Sequence, residues 1–515
     1  MEDPGDRSRR DEGRRLSRRQ LLARMGVGVA AVHARWLIGD RAWAAGDTVD
    51  EWACELETQQ AVRTGLVDPP PSGDPALVGQ WSASWLPPFR VTAVHTVVLH
   101  TGWVLLLRGP DACVWDPVGG SSLRCDPPVD VFCAGQAVLG DGSVLFAGGR
   151  EGVNPRGAKH VVTFDPVTLE WTHWPDMRGG RWYPTVTTLA DGRAIITSGM
   201  LEDGRTINGA VDLYDGGTVT RVLSKAFELY PKQHVLPDGR VVVTGPEPRD
   251  AAIIDPSDWS RTSIRRMNER HHNGPCVIMP NAEGLPHEIM VIGGNGTRSS
   301  SAGGPTASCE WYDSTHPSGQ WRSRASLPEP RAWSNAAILP DGAVLLVGGG
   351  NAVGPTRQTL RYSSSSDTWQ PMATQAEARR YHSTAVLLPD GRVLSAGDTT
   401  RGGGGPRLEV YSPPYLFRGA RPTITDAPAE VAWGQQFTVS TPDTITRAVL
   451  VRPAATTHAL DMNQRHVDLK FTSAPGAITA TAPVGGSAPA GWYMLFLLNG
   501  DGVPSVARFV KVIPT

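Results

Sequence analysis

Apolar and polar positions along most of the chain alternate in short runs that predict β-strands. Between about residues 88 and 417, runs of β-branched and aliphatic residues come in pairs, and a polar turn separates the two runs of each pair. An Asp-Gly turn between two such runs is typical of a β-hairpin. The clearest example is ARRYHSTAVLLPDGRVLSAG at 378–397, which predicts the innermost strand of a repeating unit and the strand that returns beside it.

The hairpins recur at a nearly constant interval. Five turns have the tetrads GDGS, ADGR, PDGR, PDGA and PDGR, and their aspartates are about 50 residues apart with one gap of about 100: Asp141, Asp191, Asp238, Asp341 and Asp390. A copy with a widened turn after Pro280 fills the gap, and an earlier copy turns at Thr101, which makes seven units. This period, with its Gly-Gly pairs and tryptophans, predicts an all-β fold with a seven-bladed kelch-type β-propeller. A β-helix would need shorter and more regular repeats.

The limits of the repeat define the other segments. We expect the propeller at 88–420 and, because short strands and Pro/Gly turns follow, an immunoglobulin-like sandwich at 421–515. Residues 45–87 are expected to be a linker that leads into the ring. Residues 1–44 resemble a twin-arginine signal peptide, with Arg18-Arg19 before a weakly apolar segment and a small-residue cleavage site at 42–44. A disordered basic tail is the alternative for this segment.

Composition narrows the class of protein further. The formal net charge is -2 and the pI is about 6.7, so we expect no nucleic-acid partner. No segment after the signal has the roughly 18 uninterrupted apolar residues of a membrane span, and we expect no oligomer.

The signal predicts export from a bacterial cytoplasm to the periplasm, the cell surface or the medium, where disulfides are permitted. The spacings allow Cys113 to pair with Cys125 and Cys276 with Cys309.

One position of each unit holds chemically unusual residues. Counting back eight residues from each turn aspartate reaches Cys133, Tyr183, Tyr230, Trp333 and His382. In the unit with the widened turn, the same count falls near His272 and Asn273. Because the units are equivalent, these residues are expected at the starts of the innermost strands, around one rim of the central channel.

The rim residues predict a metal site. A thiol, several phenols and one or two imidazoles on one axis suit copper, which accepts nitrogen and phenolate oxygen ligands. Tyr381 and His382 are neighbours, so both could reach one ion. Zinc is less suitable, because its structural sites need four Cys/His ligands at short spacings that the sequence lacks. The alternative is that the rim aromatics only fill the channel.

Four motifs resemble those of the galactose oxidase and glyoxal oxidase family of copper radical oxidases, closer to its glyoxal oxidase-like bacterial members. FCAG resembles the segment of the crosslinking cysteine, at Cys133, and RWYP that of the radical tyrosine, at Tyr183. RYHS resembles the axial tyrosine and first histidine, at Tyr381 and His382. The resemblance covers most of the chain after the signal segment and implies the same propeller and sandwich.

The fourth motif, TTHALDMNQRHVDL, resembles the loop that supplies the second histidine, which it places at His458, with His466 as the rival. The resemblance thus implies one copper ion held by Tyr183, Tyr381, His382 and His458. It also implies a Cys133–Tyr183 thioether that makes the phenol an easily oxidised radical cofactor, with Tyr381 taking the substrate's hydroxyl proton. The implied reaction oxidises a small aldehyde hydrate or primary alcohol and reduces O2 to hydrogen peroxide.

Departures from galactose oxidase change the expected substrate pocket. Residues 45–87 are too short for that enzyme's sugar-binding sandwich, and 200–203 lack the tryptophan that covers its crosslink. Trp333 is expected to shield Tyr183 instead, because Trp182 adjoins Tyr183 and should point to the opposite face of the strand. Tyr230, His272, Trp182 and Arg181 are further candidates to line the pocket. We therefore expect a small aldehyde or alcohol rather than galactose.

Two other functions compete with the oxidase. A non-catalytic kelch propeller that binds glycan or protein at the cell surface has no need for a thiol, phenols and two imidazoles together. A propeller hydrolase or lyase needs a carboxylate pair or a Ser/His/Asp set on the rim, and the counted rim positions hold no carboxylate.

Overall fold

Nearly all the regular structure is β-strand, which confirms the all-β prediction. The computed structural model describes residues 72–152, 155–245, 251–296, 304–315, 319–397 and 407–515. The predicted signal segment, the linker up to residue 71 and Cys54 lie outside these ranges. Within them there is one four-residue helix, α1 (Pro75–Val78), and no helix is long and apolar enough to cross a membrane. Three short 3-10 turns lie at Pro88–Arg90, Pro414–Phe417 and Gly485–Ser487.

Seven antiparallel sheets occupy the described part of the predicted repeat. The chain enters with β1 (Gln80–Trp81), which pairs at the far end of the repeat. The first sheet contains β2 (His95–Val98), β3 (Val104–Arg108), β4 (Asp111–Trp115) and β5 (Ser122–Arg124). The second contains β6 (Gly135–Val138), β7 (Val144–Ala147), β8 (Val161–Phe164) and β9 (Trp171–Trp174). The third contains β10 (Thr185–Thr188), β11 (Ala194–Thr197), β12 (Ala210–Asp215) and β13 (Thr218–Ser224).

The remaining sheets of this region follow the same order. The fourth contains β14 (Gln233–Val235), β15 (Val241–Val243), β16 (Ala252–Asp255) and β17 (Ser260–Ser263). The fifth contains β18 (Cys276–Pro280), β19 (Pro286–Ile292), β20 (Cys309–Asp313) and β21 (Arg322–Arg324). The sixth contains β22 (Ala332–Ile338), β23 (Val344–Gly350), β24 (Gln358–Ser363) and β25 (Thr368–Thr374). The seventh contains β26 (Ser383–Leu387), β27 (Val393–Gly397) and β28 (Glu409–Ser412), and β1 supplies its fourth strand.

The predicted turns form for an identifiable reason. In each Asp-Gly turn the aspartate carboxylate accepts the backbone N–H two residues later, at 2.9 Å for Asp141 and 3.1 Å for Asp191. The following glycine has a positive φ, 99° at Gly142 and 92° at Gly192, which a side chain would strain. The inner strand therefore runs from the predicted rim position to this turn, at the opposite end of the channel.

The C-terminal region folds as two packed sheets. One has the order β29 (Glu430–Ala432), β38 (Arg508–Ile513), β37 (Gly491–Leu498), β31 (Arg447–Val451) and β34 (His466–Asp468). The other joins β30 (Gln436–Ser440), β36 (Ala477–Thr481) and β35 (Phe471–Ala474). Residues of both sheets, including Phe437, Leu450 and Tyr493, bury one core between them. This sandwich contacts the Asp-Gly turn end of the repeat, where Arg447 donates to the Asp341 carbonyl at 2.6 Å.

A hairpin of the C-terminal region leaves the sandwich and enters the channel. Its strands are β32 (Ala455–Thr457) and β33 (Leu460–Asp461), and β32 pairs with the inner strand β2. The first sheet therefore has six strands rather than four. The hairpin crosses from the sandwich end towards the rim where the inner strands begin, which carries its turn to that rim.

The cysteine spacings that allow disulfides do not correspond to bridges. Cys276 and Cys309 are buried free thiols on β18 and β20, and β19 lies between those strands. Two strand spacings of about 4.8 Å put the residues beyond disulfide reach. Cys113 pairs in register with Arg124, the neighbour of Cys125, but no disulfide joins Cys113 to Cys125. The pairing suggested by sequence distance is wrong for Cys276–Cys309, because sequence distance does not show that a strand intervenes.

Candidate metal and radical site

Six equivalent rim positions share an unusual backbone conformation. They have a positive φ: Cys133 (62°), Tyr183 (67°), Tyr230 (49°), Asn273 (58°), Trp333 (60°) and His382 (69°). Non-glycine residues rarely adopt this region, at a cost of about 1 kcal/mol or more each. The shared strain shows that the count from the turn aspartates identifies one structural position. In the fifth sheet Asn273, rather than its neighbour His272, takes that position.

Hydrogen bonds between neighbouring sheets hold these strained residues. Tyr183 donates its backbone N–H to the Cys133 carbonyl at 3.1 Å, and Tyr230 donates to the Tyr183 carbonyl at 2.9 Å. On the other side of the rim, Trp333 donates to the Asn273 carbonyl at 2.7 Å. In these three cases one sheet positions the first residue of the next sheet, so the side chains reach the rim from fixed points.

His458 reaches the same place on the tip of the channel hairpin. His458 and Ala459 form a two-residue turn between paired Thr457 and Leu460, with φ of 49° and 67°. Two positive φ values define the type I′ hairpin turn, which usually has Asn-Gly. A His-Ala turn is therefore strained, and pairing of β32 with β2 and burial of the surrounding residues maintain it.

The hydrogen bonds of Thr457 fix the tautomer of His458. The Thr457 hydroxyl donates its one proton to the Val94 carbonyl at 2.9 Å, so its oxygen must accept from His458 Nδ1 at 2.6 Å. Nδ1 therefore carries the imidazole proton, and the lone pair lies on Nε2. Nε2 is 3.5 Å from the Cys133 sulfur and faces the cluster. This leaves Nε2 able to bind a metal ion.

The predicted ligands converge around this imidazole. The ligand atoms of Cys133, His382 and His458 all lie within 4.8 Å of one another. The ring centroid of His458 is 4.8 Å from Tyr183, 5.4 Å from Tyr381 and 4.7 Å from His382. Tyr381 also stacks on His382, with centroids 3.8 Å apart. Residues from three sheets and one hairpin thus form a single group of two phenols, two imidazoles and one thiol.

The aromatic residue that covers Tyr183 differs from the expected one. Trp182 stacks on Tyr183 with centroids 3.6 Å apart and planes at 14°, and Tyr230 stacks on Tyr183 at 4.5 Å. The preference for Trp333 was wrong, because strand alternation does not apply across the left-handed backbone of Tyr183. Trp333 instead contacts the guanidinium of Arg380, 4.7 Å from its ring.

Other expected site residues lie outside the cluster. Arg181 is fully buried and pairs with Asp212 at 2.6 Å, so it supports its own sheet and does not line the pocket. His272 pairs through its backbone with Asn295 beside the rim. His466 is buried on β34, where its Nε2 donates to the Pro340 carbonyl at 3.3 Å. The geometry therefore favours His458 over its rival.

Comparison with known proteins identifies the family. A family profile described as "Glyoxal oxidase N-terminus" matches residues 127–404, and "Galactose oxidase-like, Early set domain" matches 421–512. The chain belongs to the galactose oxidase and glyoxal oxidase family. Together the two profiles cover both the repeat and the C-terminal sandwich.

Individual relatives agree with this family. "Aldehyde oxidase GLOX" of Vitis pseudoreticulata is 31% identical, over 85% of this chain and 98% of its own length. "Galactose oxidase" of Gibberella zeae is 27% identical over 77% of this chain. The chain spans about half to two thirds of the length of the fungal relatives that it matches. A solved structure described as "Novel fungal alcohol oxidase with catalytic diversity among the AA5 family, in complex with copper" superposes with a TM-score of 0.75 at 22% identity, over 85% of this chain and 100% of the other.

Two supporting residues of this family member were not predicted from the sequence. His95 accepts the Cys133 backbone N–H on Nε2 at 3.2 Å and donates from Nδ1 to Gln136 at 2.9 Å. Thr457 orients His458. In the first unit, counting back eight residues from the turn at Thr101 reaches Ala93, and His95 lies two residues after Ala93. Applying the count to the first unit would therefore have indicated His95 as a candidate.

Burial keeps the central groups neutral. It lowers the pKa of His458 well below its ordinary value, with further lowering by His382 and His95, and it lowers the pKa of His95 to about 4. Burial also raises the pKa of the Cys133 thiol. Cys133 is buried, whereas Tyr183, Tyr381, His382 and His458 are partly exposed. A small molecule can thus reach the phenols and imidazoles while the thiol stays covered.

Proposed function

We propose that this protein is a copper radical oxidase that oxidises a small aldehyde hydrate or primary alcohol and releases hydrogen peroxide. The observation that carries the proposal is the convergence of Tyr183, Tyr381, His382 and His458 beside Cys133. These groups come from distant parts of the chain, and the hairpin of the C-terminal region supplies His458. A propeller that only binds glycan or protein has no need for this set.

The donor set fits copper. Two imidazoles and two phenols are ligands that copper accepts, and a histidine ligand normally donates its other ring N–H to a fixed acceptor. Thr457 is that acceptor for His458, at 2.6 Å. Tyr183, Tyr381, His382 and His458 would hold the ion. When bound, copper would take one electron from the substrate and pass it on to O2.

The side chains would divide the remaining chemistry. Tyr381, partly exposed beside His382, would take the proton of the substrate's hydroxyl group. The oxidised Tyr183 would remove a hydrogen atom from the adjacent carbon, and Trp182 and Tyr230 would shield its ring from solvent. An alcohol RCH2OH with O2 gives RCHO and H2O2, and an aldehyde hydrate gives the carboxylic acid.

The oxidisable form of Tyr183 would come from a thioether to Cys133. The Cys133 S–H bond and one ring C–H bond of Tyr183 break, a C–S bond forms, and O2 accepts the two hydrogens as H2O2. Packing of Tyr183 against the cluster that contains Cys133 supports this step. His95 supports it too, since it holds the Cys133 backbone through the 3.2 Å hydrogen bond.

The sequence and the relatives support several finer proposals. We assign the seven sheets to a closed ring of seven kelch-type blades, in which β1 completes the last, and the C-terminal sandwich to the immunoglobulin-like type. The segment 1–44 is proposed to direct twin-arginine export. An aldehyde is the preferred substrate class, because the aldehyde oxidase relative matches over 98% of its length.

Peroxide release tests this function. Protein reconstituted with one equivalent of copper is supplied with a small dialdehyde, a primary alcohol and galactose, and peroxide is measured with a peroxidase-coupled dye. We expect turnover with the aldehyde and its loss in Tyr381→Phe, while Tyr312→Phe in the fifth sheet serves as the matched control. Copper binding without peroxide from any of these substrates would contradict an oxidase of this substrate class.

A further inference from the structure

A second group of metal-ligating side chains lies on the outer part of the second sheet. His160 directly precedes β8, His173 is on β9, and Asp176 follows β9. Val162 pairs with His173 and Val161 with Trp174 in antiparallel register. The start of β8 and the end of β9 therefore lie at the same end of the sheet, which brings the three side chains together.

Their separations do not suit hydrogen bonds. His160 Nδ1 is 3.6 Å from Asp176 Oδ1, and His173 Nε2 is 3.4 Å from the same oxygen. Hydrogen bonds of this kind are usually about 2.7–3.2 Å long. Ligand atoms around a tetrahedral zinc ion, with bonds of about 2.0–2.2 Å, lie about 3.3–3.6 Å apart. All three donor atoms are within 4.8 Å of one another, so one ion can reach them.

One ring nitrogen independently indicates a ligand. His160 Nδ1 is shielded from solvent and has no hydrogen-bond partner, although the ring as a whole is partly exposed. A shielded polar atom without a partner costs free energy that a bound ion would recover. The other nitrogen, Nε2, is 3.9 Å from Glu151 Oε2. At 3.9 Å this is not a hydrogen bond, so Glu151 would have to move closer to support His160 as carboxylates do behind histidine ligands at zinc sites.

We propose that His160, His173 and Asp176 bind one zinc ion, separate from the copper site. The side chains of His173 and Asp176 are 43% and 51% exposed, which leaves a fourth position open to water. The neighbouring ammonium of Lys159 pairs with Glu202 at 2.8 Å, so its charge is balanced. A set of two imidazoles, one carboxylate and water is a normal zinc coordination.

The site would stabilise the segment that leads to the radical tyrosine. Met177 donates its N–H to the Lys159 carbonyl at 2.9 Å, and Arg181 donates to the Ala158 carbonyl at 2.9 Å. The chain then continues into Trp182 and Tyr183. An ion bound by both His160 and Asp176 would stabilise the hydrogen bonds between residues 158–159 and residues 177–181.

Zinc titration of the holoenzyme tests the proposal. Protein carrying one equivalent of copper is dialysed and titrated with ZnCl2 by calorimetry, and both metals are counted by elemental mass spectrometry. We expect one zinc per chain in addition to the copper, and a higher thermal midpoint with zinc. Asp176→Asn and His173→Gln should each weaken zinc binding at least about tenfold, without changing copper content.

His287→Gln is the matched control, because His287 is a partly exposed histidine of the fifth sheet, hydrogen-bonded to Ser314 at 2.9 Å. It should bind zinc like the unmodified protein. Cobalt in place of zinc should give the visible absorption of a tetrahedral site, which Asp176→Asn should reduce. No zinc beyond the copper equivalent, or equal zinc affinity in all the variants, would overturn the proposal.

Discussion

The two sides of the rim share a backbone conformation with positive φ, but their side chains make different contacts. Cys133, Tyr183 and Tyr230 begin three consecutive sheets, while Asn273 and Trp333 begin two later ones, and all have φ between 49° and 67°. Neighbouring residues on both sides are joined by backbone hydrogen bonds. On the first side, however, the side chains contact one another and His458, whereas Trp333 contacts Arg380.

The difference shows what the repeat provides and what the hairpin adds. The repeat supplies equivalent, strained positions around the channel mouth. Strand β32 of the hairpin pairs with β2 of the first sheet, and the ring of His458 at the hairpin turn lies against Tyr183, Tyr230 and His382. Which rim positions belong to the site is therefore decided by where a separate region inserts.

Removal of the hairpin's histidine should have the largest effect. Loss of a residue that hydrogen-bonds to a metal ligand typically costs about 10–100-fold in affinity. His458→Ala removes a ligand itself, so it is expected to lower copper affinity by more than about 100-fold. Peroxide release should fall with it. His466→Ala removes the other histidine of the same segment and should leave copper affinity unchanged. Equal loss in both variants would contradict the assignment of His458.

Loss of the residue that orients His458 should have the next largest effect. Thr457→Val removes the acceptor for Nδ1 and should weaken copper binding by about 10–100-fold. Thr456→Val is the matched control, because Thr456 donates to the Ala385 carbonyl at 3.5 Å and does not contact the imidazole. Copper titration by calorimetry measures both. Unchanged affinity in Thr457→Val would show that the tautomer does not depend on this hydroxyl.

Replacement of the stacked tryptophan should have a smaller effect. Trp182→Ala removes a stacked pair worth about 0.5–1.5 kcal/mol, so the oxidised Tyr183 should decay up to about tenfold faster. Trp333→Ala on the other side of the rim should change this lifetime little. The decay is followed by the visible absorption of the oxidised protein. A faster decay in Trp333→Ala than in Trp182→Ala would show that Trp333 shields Tyr183, as strand alternation predicted.

The last prediction concerns the stability of the fold in acid and not the chemistry of the site. Burial lowers the pKa of His466 to about 4. Between about pH 6.5 and pH 4 this histidine is therefore protonated in the unfolded chain but neutral in the folded chain. The stability from this residue is present above pH 6.5 and is lost as pH falls to about 4, a change of up to about 3 kcal/mol. His466→Gln should make the decline in urea midpoint shallower. Parallel curves for the two proteins would contradict this.

Much of the fold followed from local patterns, because each Asp-Gly turn is specified by its own aspartate and glycine. The rim positions followed from the same spacing. The stack of Trp182 on Tyr183 was not predictable from strand alternation, since a left-handed residue interrupts it. The His-Ala turn at His458 is also a poor type I′ sequence, and only its pairing with β2 explains it. Disulfide expectations failed at Cys276 and Cys309, where β19 separates the thiols.

The most direct test of the central claim is mass spectrometry of the Cys133–Tyr183 pair. The purified protein is reconstituted with copper in air, and peptides that contain the two residues are compared with those of Cys133→Ser. We predict one crosslinked peptide pair, lighter than the sum of its parts by two hydrogens, that forms only with copper and is absent from the variant. Bound copper with both residues unmodified would contradict the radical-oxidase function.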